Sequence, residues 1–481
     1  MSTQTDDCCA PTDTPQNGQY DLAVIGAGSA GFSAAITAAE QGAQVALIGH
    51  GTIGGTCVNV GCVPSKALIR AAESVHHANS AARFTGVEAV AHLTDWNALR
   101  AQKDELVTSL RQAKYMDLLP AYNGVDYMEG KAQLGNGGII VDGNHINAGK
   151  VIIATGSHEF VPAIPGIEDT PYLTSTTAFE MESLPGSMIV IGGGYIGCEL
   201  AQMFSRLGVK VTIVFRSRLV PEGEPEISQA LAGYFEDEGI TVQRVGVYDG
   251  IHTSDDGTAL SVTVDGTAKT LKAQQVLLTA GRQANTNGLG LENAGVALLP
   301  NGGINIDDRM RTTKAGVYAA GDVTGRDQFV YMAAYGAKIA ASNAMNGDAR
   351  SYDNLAMPTV VFTDPQVASV GLTEADARAQ GIDAKTSVLS LDNVPRALAA
   401  RDTRGVIKLV SDAATNKLIG AHILAPEGAD SIQTAAIAIK QGMTYTDLGE
   451  MIFPYLTTVE GLKLAAQTFD MDVSKLSCCA G

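Results

Sequence analysis

A strand, a glycine-rich turn and a helix follow one another twice in this chain, and that repeat constrains the fold more than any other feature. The apolar run Tyr20 to Gly26 ends in Gly26-Ala27-Gly28-Ser29-Ala30-Gly31, an Ala-rich helical stretch reaches Gly42, and Gln44 to Ile48 reads as a second strand. The pattern returns with Ser187 to Ile191, then Gly192-Gly193-Gly194-Tyr195-Ile196-Gly197, a helix through Leu207 and the strand Lys210 to Val214. A single such turn is a weak signal, because glycine-rich turns arise for many reasons. Two, each between a strand and a helix, predict two dinucleotide-binding units: small residues let the backbone approach a pyrophosphate, whose charge meets helix N-terminal amides. Gly26, Gly28, Ser29, Ala30 and Gly31 are the expected contacts in the first unit, and Gly192, Gly194, Tyr195 and Ile196 in the second.

Two further segments, Val151 to Gly156 and Val276 to Arg282, resemble each other and follow the two units at comparable distances; they read as strands returning the chain between domains. After about Met357 the texture changes to short strand-like runs (Thr359 to Thr363, Val406 to Val410, Leu418 to Leu424) and helical stretches (Ser431 to Lys440, Tyr445 to Met451), a separate α+β domain. A length of 481 residues suits roughly three domains, and 45% apolar residues suit well-filled cores. The expected organisation is α/β: a tail over 1–18, a first dinucleotide domain over 19–157 and 285–356, a second over 158–284, and an interface domain over 357–481.

A formal charge of −18 argues against a nucleic-acid partner, which needs a basic face. The leader to Tyr20 carries Asp6, Asp7, Asp13 and two prolines without an apolar core, so it reads as neither signal peptide nor membrane helix, and a cytoplasmic location is expected. In that reducing compartment paired cysteines are redox-active or metal-binding rather than structural. The seven cysteines include the pairs Cys57/Cys62 and Cys478/Cys479, and no histidine follows His422. Two cysteines with no C-x-x-C spacing and no matching histidines do not suit zinc. Thiols without an imidazole point toward a soft metal ion.

With Gly54-Gly55-Thr56-Cys57-Val58-Asn59-Val60-Gly61-Cys62-Val63-Pro64-Ser65-Lys66 the chain resembles the pyridine nucleotide-disulfide oxidoreductases, over about Gly18 to Leu476. The resemblance implies a glutathione reductase-like homodimer in which the first unit holds FAD and the second NADPH. Gly55, Thr56, Lys66, Thr155, Gly156 and Asp322 then join the FAD contacts, and Gly281 the cofactor-binding set. Asp322, in Gly316-Val317-Tyr318-Ala319-Ala320-Gly321-Asp322, suits the flavin ribityl chain, its plainer reading being an acidic turn residue. Cys62 is implied to contact the isoalloxazine and Cys57 to be the exchange thiol, the two able to close a disulfide or share a substrate. Lys66 and Glu199 resemble the family's ion pair near the flavin, where an amine stabilises the reduced anion.

Disulfide-reducing members carry a His-Pro-Thr segment near the C-terminus; here that stretch reads Phe453-Pro454-Tyr455. A phenol is a poor base at neutral pH. Together with Cys478 and Cys479, this resembles the branch of the family that reduces Hg(II). Hg(II) favours two thiolates, so the tail pair would take it from small thiol complexes and pass it to Cys57 and Cys62, all four being metal ligands in turn. Tyr195 and Tyr455 match positions lining the metal site in some members; Tyr195 as a gate over the flavin and Tyr455 as interface packing stay open. A thioredoxin reductase-like enzyme, a lipoamide dehydrogenase and a metal-storage protein are the rival readings.

The chain departs from the family pattern in places. The acid that usually ends the second strand and holds the FAD adenosine ribose is absent from Leu47-Ile48-Gly49-His50, so that contact is lost or replaced. Cys8-Cys9 stands alone in the leader, as a spare capture pair or incidental residues. Cys198 reads as core. Arg216 and Arg218, after the strand of the second unit, favour the 2′-phosphate of NADPH over the ribose of NADH.

Overall fold

A computed structural model describes residues 19–135 and 138–475. Cys8, Cys9, Cys478 and Cys479 lie outside the described residues. The chain divides into two compact units. The first takes the segments up to Asn59, Val107–His158 and Gln283–Tyr352, and the second takes Val60–Leu106, Glu159–Arg282 and the chain from Asp353 onward.

The first unit is built on a seven-stranded sheet. Its order is Val125–Glu129, Val45–Gly49, Gln19–Ile25, Asn144–Ile153, Gly138–Val141, Ala132–Gly135, with Val317–Ala319 also paired to Asn144–Ile153. Gln19–Ile25 lies parallel to both neighbours, Val24 opposite Leu47 on one side and Ile152 on the other. Such central parallel strands are covered on both faces and read as unbroken apolar runs, as Leu22 to Ile25 and Val45 to Ile48 do. The helices Ser29–Ala39 and Val330–Asn346 pack on each other, with Ser33 Oγ donating to the Ala334 carbonyl at 2.9 Å, and both bury small residues, among them Ala34, Ala35, Ala337 and Ala341.

The second unit contains three sheets. A five-stranded parallel sheet runs Thr241–Arg244, Lys210–Phe215, Ser187–Ile191, Gln275–Leu278, Leu173–Thr174. An antiparallel meander, Val247–Ser254, Gly257–Val264 and Thr267–Ala273, stands beside it in the sequence and was not legible there. The last sheet is wholly antiparallel, in the order Pro358–Val361, Gln366–Gly371, Leu418–Ala425, Val406–Asp412, Ala384–Ser390, with the helices Gly428–Lys440 and Glu460–Gln467 contributing to its core. Two of these strands, Gln366–Gly371 and Ala384–Ser390, carry Gln, Ser, Thr and Lys among their apolar residues and give no clean alternation. The sole tryptophan, Trp96, is buried against Phe179 and its neighbours in this unit and donates from Nε1 to the Met181 carbonyl at 2.7 Å.

A buried ammonium joins elements far apart in the sequence. Lys408 Nζ lies 3.0 Å from Glu224 Oε2, 2.9 Å from Glu226 Oε1 and 2.8 Å from Glu374 Oε2. Lys408 and Glu224 are each 2% exposed, and the His422 ring sits beside them. Three carboxylates offset the desolvation of one cation and push the Lys408 ammonium pKa well above its ordinary value, although burial alone would lower it.

Candidate active site

Both glycine loops are built in the same way. Gly26 and Gly192 adopt positive φ, +118° and +123°, and a Cβ on either would overlap the carbonyl of Ala154 or Thr279. Those carbonyls follow the strands Asn144–Ile153 and Gln275–Leu278, which explains why the two later segments resemble each other: each flanks the strand that leads into the glycine loop and meets that loop. The chain then changes unit, between His158 and Glu159 and between Arg282 and Gln283. Gly31 and Gly197 bring each helix onto its own loop carbonyl, of Gly26 and Gly192, leaving no room for a Cβ.

Other positions are glycine without a protein reason. Gly194 has an ordinary backbone (φ −78°, ψ −171°), and a Cβ there would meet nothing within 4 Å. Gly28 is similar (φ −92°), its nearest neighbour being the Gly55 Cα at 3.5 Å. Gly28 and Gly194 are the N-caps of the helices Ser29–Ala39 and Tyr195–Arg206, neither of which has a side-chain cap or an acid in its first turn. Open space, uncapped amides and no acid in the first helical turn together fit the pyrophosphate of a dinucleotide in each loop.

Around the first loop, Ser29 Oγ and Tyr115 Oη are 3.2 Å apart, and the Tyr115 ring stands edge-on to Phe32. Tyr115 is a loop-supporting residue that sequence reading missed, since nothing in its polar surroundings marks it. Thr155 Oγ1 donates to the Asn285 carbonyl, and Asp322 Oδ2 accepts from Ser157 Oγ at 2.6 Å. A Cβ on Gly321, the residue before Asp322, would lie 3.1 Å from the Ala30 Cβ, so Asp322 is placed next to the loop. A Cβ on Gly55 would lie 2.7 Å from the Gly28 Cα, so the short helix Gly55–Asn59, with Thr56 and Cys57, starts against the loop backbone.

Cys57 falls in the first unit and Cys62 in the second; both are partly buried. Cys62 is the first residue of the helix Cys62–Asn79, where unpaired backbone amides favour a negative charge. One turn on, Lys66 Nζ lies 2.6 Å from Glu199 Oε2 and 4.9 Å from the Phe362 ring centroid. Glu199, 6% exposed, accepts from the Phe362 amide through its other oxygen at 2.9 Å. Gln202, three residues along the same helix, exchanges two hydrogen bonds with the Asp364 backbone, both 2.8 Å. Burial would raise the Asp364 carboxyl, but the His77 hydrogen bond and the Arg206 and Arg404 guanidinium groups outweigh it and hold it well below the carboxylate range.

Tyr195 opens the same helix. Burial pushes its hydroxyl pKa up, and the hydroxyl is hydrogen-bonded to Thr359 and Glu222, so it stays protonated. Ile196 packs on the core of the second unit, and Gly281, with nothing within 4 Å of a Cβ, leaves an open surface. Arg218 donates to the carbonyls of Pro221 and Gly223 and so closes its own loop. Arg216 is exposed, and Arg244 Nε reaches its carbonyl from the neighbouring strand. Cys198 is fully buried, and burial raises its thiol pKa to about 12. Tyr455 is 56% exposed. Among the described residues no group of three or more His, Cys, Asp or Glu side chains is arranged to hold a metal ion.

Two dinucleotide loops, a cysteine at a helix start and a lysine paired with a buried glutamate define a class, and comparison gives it a name. The pyridine nucleotide-disulphide oxidoreductase profile matches residues 20–341, and the dimerisation domain of the same family matches residues 357–466. The chain belongs to that family, and its cofactors are FAD and NADPH. Mercuric reductases are among its curated relatives. It is 46% identical to that of Streptomyces lividans, over 96% of this chain and 98% of the relative. It is 47% identical to that of Shigella flexneri, over 97% and 84%. Among solved structures it is similar to the Cu(II) complex of the HOCl-induced flavoprotein disulfide reductase RclA from Escherichia coli (31% identity, TM-score 0.82, 94% of this chain and 99% of that one).

Proposed function

We propose that this protein reduces Hg(II) to Hg(0) at the expense of NADPH, as a mercury-detoxifying mercuric reductase. The observation that carries the reading is similarity to the Streptomyces lividans mercuric reductase along nearly the whole of both chains. The balance is Hg(II) + NADPH → Hg(0) + NADP⁺ + H⁺. FAD, when bound in the first unit, supplies the two-electron link between the nicotinamide and the cysteine pair.

The residues divide the remaining work. Cys57 and Cys62 take Hg(II) as thiolates, since a soft cation prefers two sulfur ligands. Lys66, oriented by Glu199, holds positive charge beside the flavin site. Tyr195, a protonated phenol at the opening of the second loop's helix, donates a hydrogen bond or gates the nicotinamide. The Gly192–Gly197 loop, with Gly281 and Arg216, takes NADPH; Arg218 acts there through its loop. Cys478 and Cys479 collect Hg(II) from thiol complexes, with Tyr455 where disulfide-reducing members have histidine.

The working form is a cytoplasmic homodimer. The dimerisation domain is present, and Met451, Ile452, Tyr455 and Leu456 expose a run of apolar surface, Ile452 at 97%. No helix of the described residues is long and apolar enough to cross a membrane.

The test is NADPH oxidation with Hg(II) in excess thiol, set against oxidised thioredoxin, glutathione and lipoamide. Turnover with Hg(II) and little with the disulfides is expected, and Cys57→Ala should lower it at least ~100-fold with FAD retained. Turnover of the disulfides instead of Hg(II) would establish a disulfide reductase, the reading favoured by the likeness to RclA.

A further inference from the structure

The strand Val45–Gly49 ends where a dinucleotide fold ordinarily places a ribose-binding carboxylate, and this chain has glycine there. Gly49 is not in the left-handed region, so its backbone does not demand glycine. Its surroundings do. A Cβ on Gly49 would lie 2.8 Å from Tyr127 Oη, 2.9 Å from Tyr127 Cε2 and 2.8 Å from the Cβ of Ala27 in the first glycine loop. Tyr127 comes from the adjacent parallel strand Val125–Glu129, two residues before Glu129, the register partner of Gly49. The volume of the absent side chain is therefore filled by a phenol, whose oxygen and the Ala27 Cβ of the loop both border the place a Gly49 side chain would take.

We propose that Tyr127 replaces the missing carboxylate, its hydroxyl hydrogen-bonding the adenosine ribose of FAD. That hydroxyl makes no hydrogen bond to the described residues, so it is available to a ligand. Burial, and then the Glu129 charge, push its pKa up, so it remains a neutral donor. The substitution exchanges a charged acceptor for an uncharged group that can donate or accept. It rests on the first unit holding FAD and is independent of the electron acceptor.

Titration of apoprotein with FAD, followed by flavin fluorescence, tests it. Tyr127→Phe keeps the shape and removes the oxygen, and should weaken FAD binding roughly 5-fold, the worth of one hydrogen bond. Wild type should lose a similar factor with the FAD analogue lacking the bonded adenosine 2′- or 3′-hydroxyl, whereas Tyr127→Phe should bind FAD and that analogue equally. Gly28→Ala, whose Cβ the protein itself accommodates, is the control for the first unit. Wild-type affinity in Tyr127→Phe beside a loss in Gly28→Ala overturns the Tyr127 assignment alone, as does transfer of the hydroxyl discrimination to Glu129→Gln. No loss in either Tyr127→Phe or Gly28→Ala overturns both the assignment and the placement of FAD.

Discussion

Replacing Lys408 by methionine should turn a stabilising cluster into a pH-dependent defect. Methionine fills the space but leaves Glu224, 2% exposed, without its ammonium, Glu226 relieved only by water at 42% exposure, and Glu374, 25% exposed, with Arg378 as its remaining cation. Removing one partner of a buried pair costs about 3–5 kcal/mol, and the two solvated carboxylates place this site near the lower end, about 3 kcal/mol. For a unit of this size that is roughly 5 °C in Tm, at about 2.1 cal/mol/K of unfolding entropy per residue. The sign of the pH dependence is the sharper test. In the wild type the Glu226 pKa is lowered, because the Lys408 contacts outweigh burial; its contribution is present above the unfolded carboxylate pKa and lost as pH falls through the folded one. In Lys408→Met, His422, whose pKa is lowered chiefly by burial and also by Lys408, takes up a proton more readily and so supplies a positive charge beside Glu224. The deficit should therefore shrink as pH falls, by up to about 1.4 kcal/mol per unit and by about half between pH 7.5 and 5.5. Trp96, the sole tryptophan, lies in the same unit and reports its unfolding by fluorescence. A deficit that stays constant or widens at pH 5.5 would refute the account.

Gly194→Ala should leave the melting temperature unchanged, since neither backbone nor packing needs glycine there, yet raise the KM for NADPH by about 10-fold or more; an unchanged KM would remove the loop from the cofactor site. Arg216→Ala should raise the KM for NADPH about 10-fold and leave that for NADH nearly untouched. Arg218→Ala should affect both coenzymes alike, because that guanidinium holds carbonyls of its own loop; a loss selective for NADPH would return Arg218 to the phosphate. Cys198 should resist alkylation in the folded protein at pH 8 while Cys57 or Cys62 reacts, as mass spectrometry of the labelled peptides would show.

The parallel sheets were legible in the sequence because their central strands are buried on both faces and their turns need glycine for local reasons: Gly26, Gly31, Gly192 and Gly197 all lie against their own loop or its flanking strand. The antiparallel parts were not. The meander from Val247 to Ala273 exposes about half its residues, and Gln366–Gly371 becomes a central strand only through pairing with Leu418–Ala425, distant in the sequence. The site divides in the same way. Cys57, Cys62 and the loops are local motifs. Phe362, Gln202 and Asp364 reach the Lys66–Glu199 pair only through the fold, and Tyr127 meets Gly49 across a strand pairing that no single segment announces. Arg218 adds a role that its position in the sequence does not announce: its Nη2 donates to the carbonyls of Pro221 and Gly223.

The two bolts on the Tyr195–Arg206 helix, Glu199 to the Phe362 amide and Gln202 to the Asp364 backbone, bear on how the coenzyme is held. They fix one face of the helix that the second glycine loop opens, so the loop is already in its binding shape before a ligand arrives. Little conformational entropy is then lost on association, and the interaction energy of the pyrophosphate goes into affinity rather than into ordering the chain. Loosening either bolt should therefore appear first as weaker coenzyme binding with a more unfavourable entropy, at a distance from any atom the coenzyme touches.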